Sequence, residues 1–262
     1  MALQRQAILV ACDPEQELTG ITKDIEGWNA FLHSPYGGAW RDSEISILDS
    51  PNATVENLKS KVKYANYESD YLFVYFSGHG GMPSIPTQSD GTSIQLTDGF
   101  YSENDLRDVS CRCQRKTIFL DCCRTPWDIP HGTHRVAARI TDFEKAESLF
   151  MWLVSISAPG VVNIYAASRN ETAKDPCSFT QYFLREIGQV IETHKNFICY
   201  DTYTIFRNAK RHFPENELEQ HPQYISDDKN IYPLVVNPYV TLPTVNRRSF
   251  WPEIRRLFGS DD

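Results

Sequence analysis

The chain has 262 residues, of which 41% are hydrophobic and 12% aromatic, and a formal net charge of −8. That length and apolar content suffice for a full buried core and exclude disordered, repeat and fibrous classes. No basic block offers itself to a phosphate backbone and no apolar run is long enough to span a bilayer, so neither a nucleic-acid nor a membrane partner is expected.

The elements follow in chain order. Residues 7–11 (Ala-Ile-Leu-Val-Ala) read as a short buried strand and not as a secretory signal, because the apolar run is too short. Ile21, Ile25, Trp28 and Leu32 recur at helical spacing and predict an amphipathic helix that stops before Ser34-Pro35-Tyr36-Gly37-Gly38. Residues 44–48 predict a second strand, and Thr54 is placed to cap a helix with the stripe Val55, Leu58, Val62. Residues 71–76 are a third strand. A Pro/Ser/Gly loop over 80–91, a hairpin arm over 93–98 and a short helix from Ser102 to Leu106 come next. Residues 116–120 are a fourth strand. From 125 to about 160 the pattern loosens around Pro126, Pro130, Gly132 and Pro159, over a length that marks a functional or partly mobile segment. A fifth strand (161–167), a helix marked by Phe179, Phe183, Ile187 and Ile191, a helix over 203–213 and a sixth strand (232–236) complete the chain. Pro233 places that last strand at an edge. Alternating strands and helices predict an α/β sandwich with a mostly parallel sheet.

The third strand runs into Ser77-Gly78-His79-Gly80-Gly81 and the fourth into Asp121-Cys122-Cys123-Arg124. If these strands are parallel neighbours, both ends emerge at the carboxyl edge of the sheet, where open α/β sheets build their sites. A histidine or a cysteine alone at such a place reads as structural. Together they make a nucleophile–base pair. Cys123 would attack an amide carbonyl, and His79 would take the thiol proton and later protonate the leaving amine. The backbone N–H groups of Gly80 and Cys123 would face the oxyanion, the glycine leaving room for close approach. Asp24 and Asp121 could define a negative pocket beside the thiol.

Metal chemistry competes weakly with this. Cys111, Cys113, Cys122, Cys123, His131 and His134 lie within a short stretch, but their spacing matches no usual paired-ligand pattern. No acidic loop has convincing calcium spacing. Neither a metal nor a cofactor is expected. The seven cysteines do not form a stapling framework, which suits reduced thiols and a cytoplasmic location.

With these motifs the chain resembles the caspase–metacaspase clan of cysteine peptidases, and most nearly its metacaspase-like prokaryotic branch. The clan's S-G-H-G block is met by Ser77-Gly78-His79-Gly80, its D-x-C block by Asp121-Cys122-Cys123, and an early L-x-G-x-x-x-D block by Leu18, Gly20 and Asp24. The resemblance covers roughly residues 7–236. It implies one caspase-like domain over 1–262, an α/β/α sandwich around a mostly parallel six-stranded sheet. The large-subunit-like part would be about 1–125, the linker about 126–160 and the small-subunit-like part about 161–262. It implies His79 as general base and acid and Cys123 as nucleophile, with Asp24, Ser77 and Asp121 lining the pocket for the residue before the scissile bond. Animal caspases use arginines there to take Asp; metacaspase-like enzymes take Arg or Lys. Carboxylates at these positions suit a guanidinium.

Neighbouring side chains on a strand face opposite ways, so Cys122 is expected to face the core while Cys123 faces the site. The chain departs from the clan in that Arg124-Thr125-Pro126 follows the cysteine where Ser or Gly is common. Arg135 and Arg139 in the linker are candidate self-processing sites of a latent enzyme. The expected function is a cofactor-free endopeptidase cutting protein substrates after exposed Arg or Lys. An upstream protease or sensor protein would switch it on, in bacterial antiviral defence or cell death. The alternatives are a non-catalytic caspase-like binding module and a Cys/His zinc protein.

Overall fold

The computed structural model describes residues 3–82, 91–108, 110–124, 143–174, 178–194, 196–227 and 231–239. Strand β1 (Arg5–Cys12) leads to helix α1 (Ile21–His33), strand β2 (Ile45–Asp49) and helix α2 (Val55–Glu68). The α2 start is set locally, because Thr54 Oγ1 accepts the Asn57 N–H at 3.2 Å. Strand β3 (Tyr71–Gly78) is followed by β4 (Gly80–Gly81), β5 (Ser93–Leu96), β6 (Gly99–Ser102) and the short helix α3 (Glu103–Arg107), which Ser102 caps. The expected hairpin arm is thus a three-stranded sheet, with β4 added beside it.

Strand β7 (Arg115–Asp121), helix α4 (Phe143–Ile156), strand β8 (Gly160–Tyr165) and helix α5 (Phe179–Thr193) come next. Then follow β9 (Cys199–Asp201), α6 (Thr202–His212), α7 (Glu215–Leu218), β10 (Gln223–Ser226) and β11 (Pro233–Val236). Helix α4 corrects the expectation of an irregular segment up to residue 160. Ala146, Leu149, Phe150, Leu153 and Val154 form its buried stripe, at the spacing of an ordinary amphipathic helix.

The central sheet has the order β10-β8-β7-β3-β1-β2, parallel except for β10, which runs antiparallel to β8. The sixth strand is therefore β10. The expected one, β11, instead pairs with β9 in a separate two-stranded ribbon. Each buried strand feeds both faces, as a period of two requires. On β1, Ala7, Leu9 and Ala11 enter one core with Trp28, Phe150, Phe179 and Phe206, from α1, α4, α5 and α6. Ile8, Val10 and Cys12 enter the other, with Leu58 and Val62 of α2 and Leu106 of α3. Trp28 is fully buried and meets Phe73, Tyr75, Phe119 and Phe183, with ring centroids 5.0–5.8 Å away. This aromatic cluster seats α1 and α5 on the sheet and so fixes the helix that carries Asp24.

Candidate active site

The strand register brings the site together. Cys12 of β1 stands opposite Gly78 of β3, and Ser77 of β3 opposite Asp121 of β7. Asp13, His79 and Cys123, just beyond these positions, leave the carboxyl edge at the middle of the sheet. Gly78 is needed for the approach: its φ is +156°, and a Cβ there would lie 2.2 Å from the Cys12 carbonyl oxygen.

One cleft is lined by Asp24, Ser77, His79, Asp121 and Cys123, with Ala173, Lys174 and Ser178 on the facing wall. The five residues singled out for nucleophile, base and pocket therefore share one cavity. Asp24 projects from the first turn of α1 and is 1% exposed. Its carboxylate accepts hydrogen bonds from the Ser178 hydroxyl (3.2 Å) and the Tyr75 phenol (3.4 Å). Asp121 Oδ2 accepts from the Thr180 backbone N–H at 3.0 Å and from its hydroxyl. Tyr75 Oη lies 2.9 Å from Thr180 Oγ1 and so links the two acids. Burial first, and then the charges of Asp24 and Asp121, push its phenol well above the ordinary range, so it stays a donor.

Cys123 is 8% exposed, and its thiol donates to the Ala173 carbonyl at 3.7 Å. Burial raises its pKa, the Asp121 charge adds to this, and the Ala173 backbone dipole and the Lys174 charge only partly oppose it. The resting thiol is accordingly protonated. Cys122 sits in the core beside Leu120 and Ile94, with its thiol pushed well above the ordinary range by burial. Its Sγ would lie 2.6 Å from a Cβ on Gly80. The glycine after the histidine thus makes room for Cys122, where the sequence suggested room for an oxyanion. Gln95 N–H donates to the His79 carbonyl at 2.8 Å, which makes Gly80 and Ile94 a non-hydrogen-bonded pair, so that ladder does not take up the Gly80 N–H.

The Caspase domain model matches residues 4–230. The chain belongs to the caspase-domain family of cysteine peptidases. Its fold is that of solved caspase-like structures. Protein GSU0716 from Geobacter sulfurreducens is 19% identical over 85% of this chain and 93% of its own, with a TM-score of 0.56. Caspase-1 from Spodoptera frugiperda is 12% identical over 86% and 88%, with a TM-score of 0.52. No curated protein shows significant sequence similarity to the chain.

In this caspase domain the departure at Arg124 is a structural anchor. The buried guanidinium lies 4.0 Å over the Tyr165 ring and donates to Thr92 Oγ1 (3.1 Å) and Gln223 Oε1 (2.9 Å). Its backbone N–H donates to the Glu171 carbonyl at 2.9 Å, which ties the turn after Cys123 to the wall opposite. Of the zinc alternative's six residues, the structure describes the four cysteines. Cys111 and Cys113 precede β7 and Cys122 and Cys123 follow it, so a seven-residue strand of about 20 Å separates the pairs. Among the described residues no group of three or more His, Cys, Asp or Glu could hold a metal, and no helix is long and apolar enough to cross a membrane. His131, His134, Arg135 and Arg139 lie outside the described residues.

Besides Ala173 and Lys174 on the facing wall, four polar residues at the site are not singled out by the sequence. Tyr75, Ser178 and Thr180 support the acids from positions that periodicity marks only as core or helix start. Asp13 is the fourth. It ends the first apolar run as His79 and Cys123 end theirs, and that shared position was the available signal.

Proposed function

We propose that this caspase-domain protein is an endopeptidase that cuts after Arg or Lys, with Cys123 as nucleophile and His79 as general base and acid. The observation that carries the proposal is the meeting of the Asp24 and Asp121 carboxylates in the cleft that also holds His79 and Cys123. A guanidinium or ammonium group entering beside the thiol would meet two buried acids. Such charge-assisted pairing favours a basic residue and rejects Asp by like-charge repulsion. Ser77 adds a hydroxyl to the same pocket. The backbone N–H groups of Gly80 and Cys123 would receive the oxyanion.

The resting thiol is buried and bound to the Ala173 carbonyl, which supports a latent form. Processing at Arg135 or Arg139 by this enzyme or an upstream protease would release it, in keeping with a role in bacterial defence or cell death. An Arg135→Ala/Arg139→Ala protein that activates like the parent refutes that release step.

The test of the main proposal is cleavage of paired peptides carrying Arg, Lys or Asp before the cut. The linker-nicked protein is included beside the intact one, together with Cys123→Ala and Cys122→Ala. Cleavage after Arg and Lys, lost with Cys123→Ala and kept with Cys122→Ala, is expected. Cleavage after Asp overturns the pocket assignment, and loss with Cys122→Ala alone overturns the nucleophile. No cleavage by any form leaves a binding module.

A further inference from the structure

Cys12 pairs with Gly78 in the parallel β1–β3 ladder, so the next residues, Asp13 and His79, leave the sheet side by side. Asp13 Oδ1 stands 3.4 Å from His79 Nε2, with the two side chains 4% and 2% exposed. Asp13 is held from its other sides. Its Oδ2 accepts the Leu18 N–H at 2.6 Å, and its own N–H donates to Ser50 Oγ at 3.1 Å. Among the described residues no donor hydrogen-bonds Oδ1, which leaves the imidazole as the group it faces. Burying a carboxylate is costly, and the Leu18 contact does not require one, since an asparagine carbonyl would serve Leu18 equally well. The charge is directed at His79.

We propose that Asp13 is a positioning residue for His79: it accepts a hydrogen bond from Nε2–H, so that Nδ1 carries the lone pair for Cys123. This rests on the Cys123–His79 assignment made above. Nothing in the sequence block that suggested the dyad includes Asp13.

The proton balance then follows. The thiol proton passes to Nδ1 as Sγ bonds to the scissile carbonyl carbon. The resulting imidazolium keeps Nε2–H on Asp13, whose charge it faces. Nδ1 returns its proton to the amine nitrogen as the C–N bond breaks. Water then attacks the thioester carbonyl, its proton going to Nδ1 and on to Sγ as the C–S bond breaks. No proton passes to Asp13, whose part is to orient the ring, as a buried carboxylate does behind a catalytic histidine. The 3.4 Å separation exceeds the usual hydrogen-bond length of about 2.7–3.2 Å, as catalytic contacts often do before substrate tightens them.

Asp13→Asn separates this role from a structural one. The amide oxygen can keep the Leu18 N–H, whereas the amide NH2 would donate to Nε2 and move the ring proton to Nδ1. Imidazole 15N shifts are recorded on Cys123→Ala and Cys123→Ala/Asp13→Asn proteins at a pH where the ring is neutral. The expected result is Nε2–H in the first and Nδ1–H in the second. In the otherwise native protein, Asp13→Asn is expected to lower kcat about 10²-fold or more while KM moves less than about threefold. The same tautomer in both proteins, or a kcat within about threefold of the parent, overturns the proposal. Should the parent cut no peptide, the dyad assignment fails separately, and the tautomer comparison alone decides whether Asp13 sets His79.

Discussion

At the amino end of the central sheet, buried cations are surrounded by acceptors; at the carboxyl end, buried acids are held mainly by hydroxyls and backbone amides. Arg5 donates to the carbonyls of Gly38 (2.9 Å) and Ala39 (3.0 Å), pairs with Glu44 at 3.0 Å and stacks 4.5 Å over Trp40. Lys116 Nζ donates to Asn66 Oδ1 (2.7 Å), the Leu106 carbonyl (3.2 Å) and the Asp108 carbonyl. These groups tie β1 and β7 to the turns beneath them. The acids Asp24 and Asp121 take hydrogen bonds from Ser178, Tyr75 and Thr180, and these donors orient the carboxylates without carrying a full positive charge. Both ends bear the desolvation cost of charge. At one end that charge is neutralised within the fold, while at the other the acids face a cleft, where the proposed preference for a basic residue would use them.

The largest expected effect breaks the amino end. Lys116→Met keeps the length of the side chain but leaves Asn66 Oδ1, the buried Leu106 carbonyl and the part-buried Asp108 carbonyl without this donor. A loss of about 2–4 kcal/mol in denaturant-unfolding stability is expected, since two buried acceptors are each left unsatisfied at about 1–3 kcal/mol. Peptide preference of the protein that remains folded should not change. A loss below about 1 kcal/mol would show that this end is not the structural one.

The matching change at the carboxyl end should do the reverse. Asp24→Asn and Asp121→Asn keep the shape and an acceptor for the neighbouring hydroxyls, yet remove charge from the pocket. Each is expected to lower kcat/KM on Arg and Lys peptides about 10²-fold, equivalent to about 2.7 kcal/mol, and to shift unfolding by less than about 1 kcal/mol. Activity held near the parent value, with stability falling instead, would put these acids in the same class as Arg5.

The same division explains what the sequence could tell. Residues 71–76 and 116–120 are buried on both sides, so their apolar runs announce them, and His79 and Cys123 stand out by ending those runs. Gln223-Tyr224-Ile225-Ser226 carries no such run, because β10 is an edge strand with partly exposed side chains. The fully buried Pro-Leu-Val-Val of β11 reads more like a sheet strand, yet pairs elsewhere. Helix α4 was hidden by the prolines and glycine around it. Asp24 was visible only through its motif block. Asp13 needed the β1–β3 register, since a carboxylate after a strand is ordinary until its neighbour is known. Ser178 and Thr180 needed the packing of α5 against α1, which pair spacing does not reveal.

The smallest expected effect concerns the wall that covers Cys123. Glu171 secures it by accepting the backbone N–H groups of Ser168 (3.0 Å) and His221 (2.7 Å) and by meeting His221 Nδ1 at 2.7 Å. The Lys174 N–H is held by Gln220 Oε1 at 2.8 Å. Glu171→Gln keeps one acceptor oxygen and loses the charge. At a partly exposed site this is worth about 1 kcal/mol or less, so opening of the wall, read as iodoacetamide alkylation of Cys123 at pH 7, should rise up to about fivefold. Burial pushes the Glu171 pKa up, but the hydrogen bonds from His221 and Ser168 outweigh it and hold the group below its ordinary 4.5. A depressed carboxylate stabilises the folded form above its unfolded value and loses that contribution as pH falls through the lower folded one. The Glu171 contribution should therefore be lost only as pH falls below about 4.5, seen as loss of exchange protection at the Ser168 and His221 N–H groups. An alkylation rate unmoved by Glu171→Gln would shift the hold on Ala173 to Gln220, whose own amide donates to the Ala166 carbonyl at 2.8 Å from a fully buried position.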